Sequence, residues 1–429
     1  MTAPDSASAS PRRTAILGQG YVGLPLAIRA ADAGHHVVGF DTDDIRVKRL
    51  RAAQSPSPDI PESQVAAALT DGTYTPTANA DDLAGFDVAV IAVPTPLRDG
   101  APDLSAIEHS ARILAPHLRP GCAVVLESTT YPGTTEDLLQ PLLESASGLT
   151  AGTEFHLGYS PERIDPGNRT WNLQNTPKIV SGIDEPSLKT LSTFYRDLVD
   201  TVVEVPSVRD AELAKLLENT FRQVNIALVN EIALHARHLG ADIWSALDAA
   251  ATKPFGYIRF SPGPGVGGHC LPIDPIYLSW QVRRRSGSAL RLVETADQIN
   301  ASMPSHVVRR ITEALNNRGL PVNGARILLL GLAYKADTGD TRHAPALTIA
   351  QLLSALGAQI QIADPHVDYI PDIARHTHLT HLTATNVAAA DAVVLLTDHT
   401  AFDRQLIERH APYVLDCRAR LNGPNIERL

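Results

Sequence analysis

The chain has 429 residues, enough for two or three domains, and its 44% hydrophobic content is that of an ordinary globular protein. A formal net charge of −10 argues against a nucleic-acid binder and against a protein held on an anionic membrane surface, while leaving room for a local cationic pocket. Cys122, Cys270 and Cys417 are far apart and form no CxxC or zinc spacing, so they point to neither a disulfide framework nor a metal site, and a reducing cytoplasm fits them best.

Residues 1–13 are rich in Ser, Ala and Pro and close on two arginines; they read as a disordered tail. No run approaches the length of apolar residues that spans a membrane. Thr14–Leu17 is a short apolar strand, followed by Gly18-Gln-Gly20-Tyr21-Val22-Gly23, a helix start, and a second apolar run ending at Asp41. This is GxGxxG in the context of a dinucleotide site: glycines for the tight turn, a helix N-terminus facing the phosphates, and an acid for the ribose hydroxyls. Thr42, Asp43 and Asp44 supply no cation for a 2′-phosphate, so NAD is preferred over NADP. Two buried-type strands follow, one ending near Thr95 and the other near Thr129, and strand C-terminal ends line the crevice of such a sheet. Either threonine could instead satisfy local backbone. Glu162, beyond a further strand, reads as a base or as a surface partner of Arg163.

Asp210–Gly240 carries the strongest helical signal, with Leu213, Leu216, Leu217, Val224, Leu228 and Ile232 at helical spacing. It would run roughly 45 Å at ~1.5 Å per residue, the length of a helix that bridges domains or pairs with a second copy. Lys215 and Asn219 are four apart and share a face. Next comes Ser261-Pro-Gly-Pro-Gly-Val-Gly267-Gly-His-Cys270-Leu-Pro-Ile-Asp274-Pro. Here glycines without Cβ permit close approach to a ligand, and Asp274-Pro275 reads as an N-cap and first helical residue. Cys270 would then lie in a loop just before a helix N-terminus, where partial positive charge favours thiolate. The residues alone leave open an idle loop cysteine. After Pro304 and an amphipathic stretch at Val307–Asn317, strand–helix alternation resumes through Gly331, Lys335, Arg342, Asp364 and Arg418 without a second GxGxxG. Lys335, Arg342 and Arg418 follow strand ends and could form an anion pocket. The expected architecture is α/β: two Rossmann-like doubly wound domains, 14–206 and 306–429, joined by a long central helix and a helical dimerisation region, 207–305.

Along nearly its whole length the chain resembles the nucleotide-sugar 6-dehydrogenases. The motifs are Gly18-Gln-Gly-Tyr-Val-Gly23, Val93-Pro-Thr-Pro, Glu127-Ser-Thr, Ser160-Pro-Glu162, Ala211-Glu-Leu-Ala-Lys215 with Asn219, Gly267-Gly-His-Cys270 with Asp274, and Lys335-Ala-Asp-Thr-Gly-Asp-Thr-Arg342, in one order. Ser-Pro-Glu-Arg and Gly-Gly-His-Cys are similar to enzymes acting on UDP-N-acetylhexosamines.

The resemblance implies oxidation of a sugar C6 alcohol to a carboxylate with two NAD⁺. Lys215 and Asn219 would stabilise the oxyanion, Cys270 would form a thiohemiacetal and then a thioester, and Asp274, Thr129 and Glu162 would position or activate water. It implies cofactor contacts from the glycine turn, Tyr21, Val22, Asp41, Arg46, Thr95, Thr129 and Arg342. Substrate contacts would come from Glu162, Arg163, Lys215, Asn219, Tyr257, Arg259, Gly267, Lys335 and Arg418. It also implies a homodimer built on the long helix, with no metal, nucleic acid or membrane. The competing readings are a UDP-glucose or dTDP-glucose enzyme of a secondary-metabolite or polysaccharide pathway, a two-electron β-hydroxyacid-type dehydrogenase, and a silent NAD- or nucleotide-sugar-binding protein.

Overall fold

The computed structural model describes residues 11–57, 59–165, 167–168, 170–368, 376–379 and 381–429. Residues 1–10 of the expected tail lie outside them. Its last two arginines belong instead to the fold: Arg12 pairs with Asp197 at 2.7 Å and the Arg13 N–H donates to Asp87 at 2.9 Å, opening the first strand. The chain divides into two compact units, 1–218 and 219–429.

The first unit is built on an eight-stranded sheet in the order Val202–Val205, Lys178–Gly182, His156–Tyr159, Ala123–Leu126, Val88–Ile91, Arg13–Leu17, His36–Phe40, Tyr74–Thr77. All neighbouring pairs are parallel except His156–Tyr159 with Lys178–Gly182. Helices cover both faces, so the central strands are apolar without alternation. One face packs Leu17, Ile91, Val124 and Leu157 against Ile107 and Leu143; the other packs Ile16, Val90 and Val125 against Leu24, Ile28 and Phe194. The edge strand Tyr74–Thr77 holds Pro76, and an edge is where a strand tolerates a missing donor.

The second unit carries a six-stranded, all-parallel sheet in the order His376–Leu379, Gln359–Ala363, Arg326–Leu330, Ala392–Leu395, Val414–Asp416, Ile426–Arg428. The helix Val208–Ala236 begins in the first unit and ends in the second, and Gly240 in a left-handed conformation closes the short 3₁₀ turn after it. The helix Arg291–Asn316 runs straight through Pro304, which was expected to mark a boundary. Packing overrides that local signal: Met303, Val307 and Ile311 are buried in the core of the second sheet.

Both sheets turn the first corner with the same hydrogen bonds. The Gly18 N–H donates to the Phe40 carbonyl and the Gln19 N–H to Asp41 Oδ2, each at 2.8 Å. In the second unit the Gly331 N–H donates to the Ala363 carbonyl at 2.9 Å and the Leu332 N–H to Asp364 Oδ2 at 2.6 Å. Gly331 has φ +86°, and a Cβ there would lie 2.5 Å from Thr397. Gly319 has φ +71° but open space around it. Gly319→Ala is therefore expected to cost about 1 kcal/mol, the left-handed penalty alone. Gly331→Ala should cost about 1–3 kcal/mol more through overpacking. Urea unfolding of both variants checks the difference, and equal costs would contradict the corner as described.

Candidate active site

In the first unit the glycine turn divides its labour. A Cβ at Gly18 would overlap the Ala92 carbonyl and one at Gly23 the Gly18 carbonyl, whereas a Cβ at Gly20 would meet nothing within 4 Å. Gly20 thus leaves open the space in front of the helix Gly23–Asp32, where a pyrophosphate would meet the helix N-terminus. Val22 is the N-cap and Tyr21 stands exposed beside it. Asp41 is 5% exposed. Its Oδ1 accepts from the Asp43 N–H at 2.9 Å, and its Oδ2 receives Arg46 Nη1 at 2.8 Å. The neighbourhood is therefore not free of cations, as residues 42–44 alone implied. The guanidinium of Arg46 is matched by Asp41, so the corner still offers a carboxylate to ribose hydroxyls. These residues fit NAD.

At the strand ends, the Thr95 hydroxyl donates to the Thr129 carbonyl at 2.8 Å, and the Val93 N–H donates to Ser128 Oγ at 2.9 Å. Thr95 thus braces the neighbouring loop, and Thr129 is left half-buried at its head. Glu162 is buried and pairs with Lys215: Nζ lies 3.1 Å from Oε2 and 2.6 Å from the Glu162 carbonyl. Arg163, its expected surface partner, pairs instead with Glu218 and donates to the Pro177 carbonyl at 2.7 Å. Burial decides this: a carboxylate taken out of water needs a cation taken out with it.

In the second unit, Asn219 Nδ2 donates to Asp274 Oδ2 at 2.5 Å, and Asp274 is 1% exposed. The helix opens at Cys270 and runs to Ser286, with Pro275 inside it, five residues earlier than Asp274-Pro275 as N-cap and first helical residue signals. Cys270 is its first residue, half-buried, so the cysteine is placed on the helix terminus itself and Asp274 stands one turn on, on the same face. Arg283, Arg284 and Arg285 in the last turn and left-handed Gly287 complete the helix at its negative end.

The glycines before Cys270 allow a close packing of loops. A Cβ at Gly267 would sit 2.7 Å from Tyr334 and one at Gly268 2.8 Å from its ring, and the Gly268 N–H donates to the Arg342 carbonyl at 2.9 Å. The cysteine loop and the Tyr334–His343 loop are thereby locked together. A Cβ at Gly263 would lie 3.1 Å from Arg418 Nη1, so that cation adjoins the same loop; its Nε donates to the Leu396 carbonyl at 2.6 Å. Lys335 and Tyr257 are half-buried. Arg259 is tied to Asp248 at 2.7 Å and to Ser261 at 2.7 Å, and Arg342 to Asp340 at 2.5 Å.

Two groups escape a reading of spacing. Glu127 is buried against Lys178 Nζ at 3.0 Å and the Tyr195 hydroxyl. Glu212, inside the Lys215 motif, is fully buried on the long helix. It accepts from the Gly133 N–H at 2.5 Å, the Thr135 N–H at 2.9 Å and the Thr135 hydroxyl at 2.8 Å. It therefore ties the helix bearing Lys215 to the loop that follows Thr129.

This construction is that of a dinucleotide-dependent dehydrogenase with an added cysteine helix. The chain belongs to the UDP-glucose/GDP-mannose dehydrogenase family: the family's NAD binding domain matches residues 12–199, its central domain 209–302 and its UDP binding domain 328–423. It is 38% identical to a UDP-N-acetyl-D-mannosamine dehydrogenase of Pyrococcus horikoshii, over 91% of this chain and 90% of that one. It is 33% identical to a UDP-N-acetyl-D-glucosamine 6-dehydrogenase of Pseudomonas aeruginosa, over 91% of each. Among solved structures, a UDP-D-ManNAc dehydrogenase from Pyrococcus horikoshii superposes with TM-score 0.88 at 34% identity, covering 97% of this chain and 98% of that one. A UDP-glucose dehydrogenase from Pyrobaculum islandicum gives 0.86 at 26%, covering 100% and 98%.

Burial pushes the Glu212 carboxyl up from 4.5 to about 7, against the hydrogen bonds from Thr135 and Gly133. A pKa raised by folding adds stability that is fully present below pH 4.5 and is lost as pH rises through about 7. Glu212→Gln removes this titration. The stability of wild type relative to the variant should therefore fall between pH 5 and 8 in urea unfolding; a pH-independent difference would contradict the assignment.

Proposed function

We propose that the protein oxidises the C6 hydroxymethyl of a UDP-N-acetylhexosamine to the uronic acid, removing four electrons in two steps at one carbon. The observation that carries the reading is the cysteine helix: Cys270 at its first position and, one turn on, buried Asp274 held by Asn219 at 2.5 Å. A two-electron dehydrogenase has no use for such a sulfur, and a silent binding protein none for the set.

NAD⁺, when bound, accepts a hydride in each step. In the first, the C6 hydroxyl gives up its proton to an ordered water, and Lys215 and Asn219 donate hydrogen bonds to the oxygen as charge develops on it. The Cys270 sulfur, at the positive end of its helix, then adds to the aldehyde carbon and the carbonyl oxygen takes up a proton, giving a thiohemiacetal. Loss of that hydroxyl proton and a second hydride leaves a thioester. Water attacks the thioester carbon, the C–S bond breaks, and the thiol and the carboxylate are released. Asp274, with Thr129 and Glu162, positions that water or takes its proton. The glycine turn, Tyr21, Asp41, Arg46 and Thr95 serve the dinucleotide, and Lys335 and Arg418 the nucleotide sugar; Arg342 adjoins the dinucleotide. Arg163, Tyr257 and Arg259 complete the contacts proposed for the substrate, Arg163 and Arg259 being held by carboxylate partners.

The names of the Pyrococcus and Pseudomonas relatives support an N-acetyl group at C2. UDP-glucose is the second reading, favoured by the Pyrobaculum likeness. The three-part division at 14–206, 207–305 and 306–429 belongs to this proposal and is supported by the three family segments. So does a cytoplasmic location, supported by three cysteines that form no disulfide.

Wild type should release two NADH per sugar, with UDP-N-acetylhexosamines outpacing UDP-glucose and dTDP-glucose in a substrate panel. Cys270→Ala should stall after at most one. Full conversion to the acid by that variant would defeat the mechanism.

The proposal includes a homodimer. On the helix Val208–Ala236, Leu213, Leu217, Phe221, Leu228 and Ile232 are 40–59% exposed and recur at spacings of four, four, seven and four residues. That is the seam of a helix expecting another helix, and a second copy supplies one. Leu217→Glu combined with Leu228→Glu should halve the mass seen by sedimentation equilibrium. An unchanged mass would remove the long helix from the interface.

A further inference from the structure

The second unit contains a cavity of about 450 Å³ that the proposed chemistry does not use. It lies between the end of the helix Val208–Ala236, the helix Arg291–Asn316 and the last strand, and no residue assigned to sugar or dinucleotide lines it. In a chain of net charge −10 its lining is cationic: Arg237, Arg309 and Arg310, with His238 and His306 among them. Glu427 and Glu313 are the facing acids, and they engage loosely. Glu427 is 3.1 Å from Arg310 but 3.9 Å from Arg237, and Glu313 is 4.0 Å from Arg309.

Two buried donors in the cavity wall have nothing to donate to. His306 is 6% exposed; its Nδ1 is taken by Arg309 Nη2 at 2.7 Å, so its proton sits on Nε2, which has no partner. Burial, Arg309 and Arg310 lower its pKa to about 4, which makes the ring a neutral donor at pH 7. Arg310 is 8% exposed; Nη2 reaches Glu427 and the Arg428 carbonyl at 3.1 Å each, while Nε is unpartnered. Buried donors are ordinarily satisfied. An acceptor with several oxygens and negative charge would meet the guanidinium groups that the two glutamates leave uncompensated, and the two unpartnered donors behind them add positive potential to that wall. Ala233, Leu234 and Ala314 give the rest of the wall an apolar surface. The volume falls within the ~300–1,000 Å³ of small-molecule sites.

We infer that this cavity is a binding site for a phosphate-bearing small molecule, separate from the cofactor and substrate sites. The phosphate accepts from the guanidinium groups of Arg237 and Arg309 at the rim, with Arg310 and His306 behind them, and an organic part lies on the alanine–leucine wall. An occupant would join the last strand to the two helices.

The test uses the full-length protein and three probes: inorganic phosphate, pyrophosphate and uridine monophosphate, titrated calorimetrically against chloride at matched ionic strength. The comparison is with Arg237→Glu/Arg309→Glu; both side chains are 62% exposed, so their loss should leave the fold intact. Affinity for at least one probe should fall tenfold or more in the double variant while NAD⁺ affinity is unchanged. Phosphate binding as tightly as the nucleotide would identify the free ion as the occupant; tighter nucleotide binding would identify an organic phosphate. Equal affinities in the two proteins would overturn the inference by placing the anion elsewhere. So would binding only at tens of millimolar, an adventitious ion only. A crystal soaked in pyrophosphate gives an independent reading: density between His306 and Arg309 is expected, and water alone there would overturn it.

Discussion

The interaction that orders the strand-end loops of the first unit is the buried contact of Lys215 with Glu162. An ammonium withdrawn from water must be surrounded by acceptors, and here one residue supplies both its carbonyl and its carboxylate. That requirement fixes the loop after the strand His156–Tyr159 against the long helix. Glu212, one turn earlier, fixes the loop after Ala123–Leu126 to the same helix through two N–H groups and a hydroxyl. Two strand-end loops are thus registered to one helix by hydrogen bonds at neighbouring positions. A helix used this way cannot rotate by one residue without leaving buried charge unpaired. This explains why the acid and the amine stand three residues apart on the same rigid element.

The two sheets show how one corner can be kept while its use changes. Gly18 with Asp41 and Gly331 with Asp364 make the same pair of bonds between first strand and second. In the first unit a Cβ-free position at Gly20 then opens onto space. In the second, the corner is filled by protein. Asp364 also accepts from the Ala333 N–H at 2.9 Å and pairs with His399 at 3.0 Å, and the His399 Nδ1 accepts from the Asp337 N–H at 3.0 Å. Asp337, His366 and His399 lie close enough to suggest a metal cluster. With both ring nitrogens of His399 committed to the fold, the group reads as bracing for the loop that carries Lys335.

Much of this was legible in the sequence because it is local. The glycine turn with Asp41, the apolar strands and the long helix all announce themselves within a few residues. What spacing could not give is what tertiary packing decides. Glu212 meets Thr135 across 77 positions, and Glu127 meets Tyr195 across 68. The helix start at Cys270 was masked by a stronger-looking signal, Asp274-Pro275, which places the start five residues later. Proline in the sixth helical position costs the Leu271 carbonyl its partner, which a local rule counts against the helix. Burial of Ile273, Asp274 and Tyr277 on the packed face outweighs it.

That displacement changes what the cysteine is. In a loop before a helix, a thiol can swing, and its distance from any reacting carbon is a matter of loop entropy. As the first residue of a helix whose preceding glycines are pressed against Tyr334, its Cα is fixed from both sides. The same loop carries Gly263 against Arg418, so the sulfur and that cation are set by one stretch of backbone. The covalent intermediate proposed for Cys270 would need such fixity more than a reactive thiol, because the bound carbon would have to return to the same place for the second oxidation. The glycine run is therefore best understood as a clamp: residues without side chains let two loops of the second unit close on each other, and Cys270 is mounted where they meet.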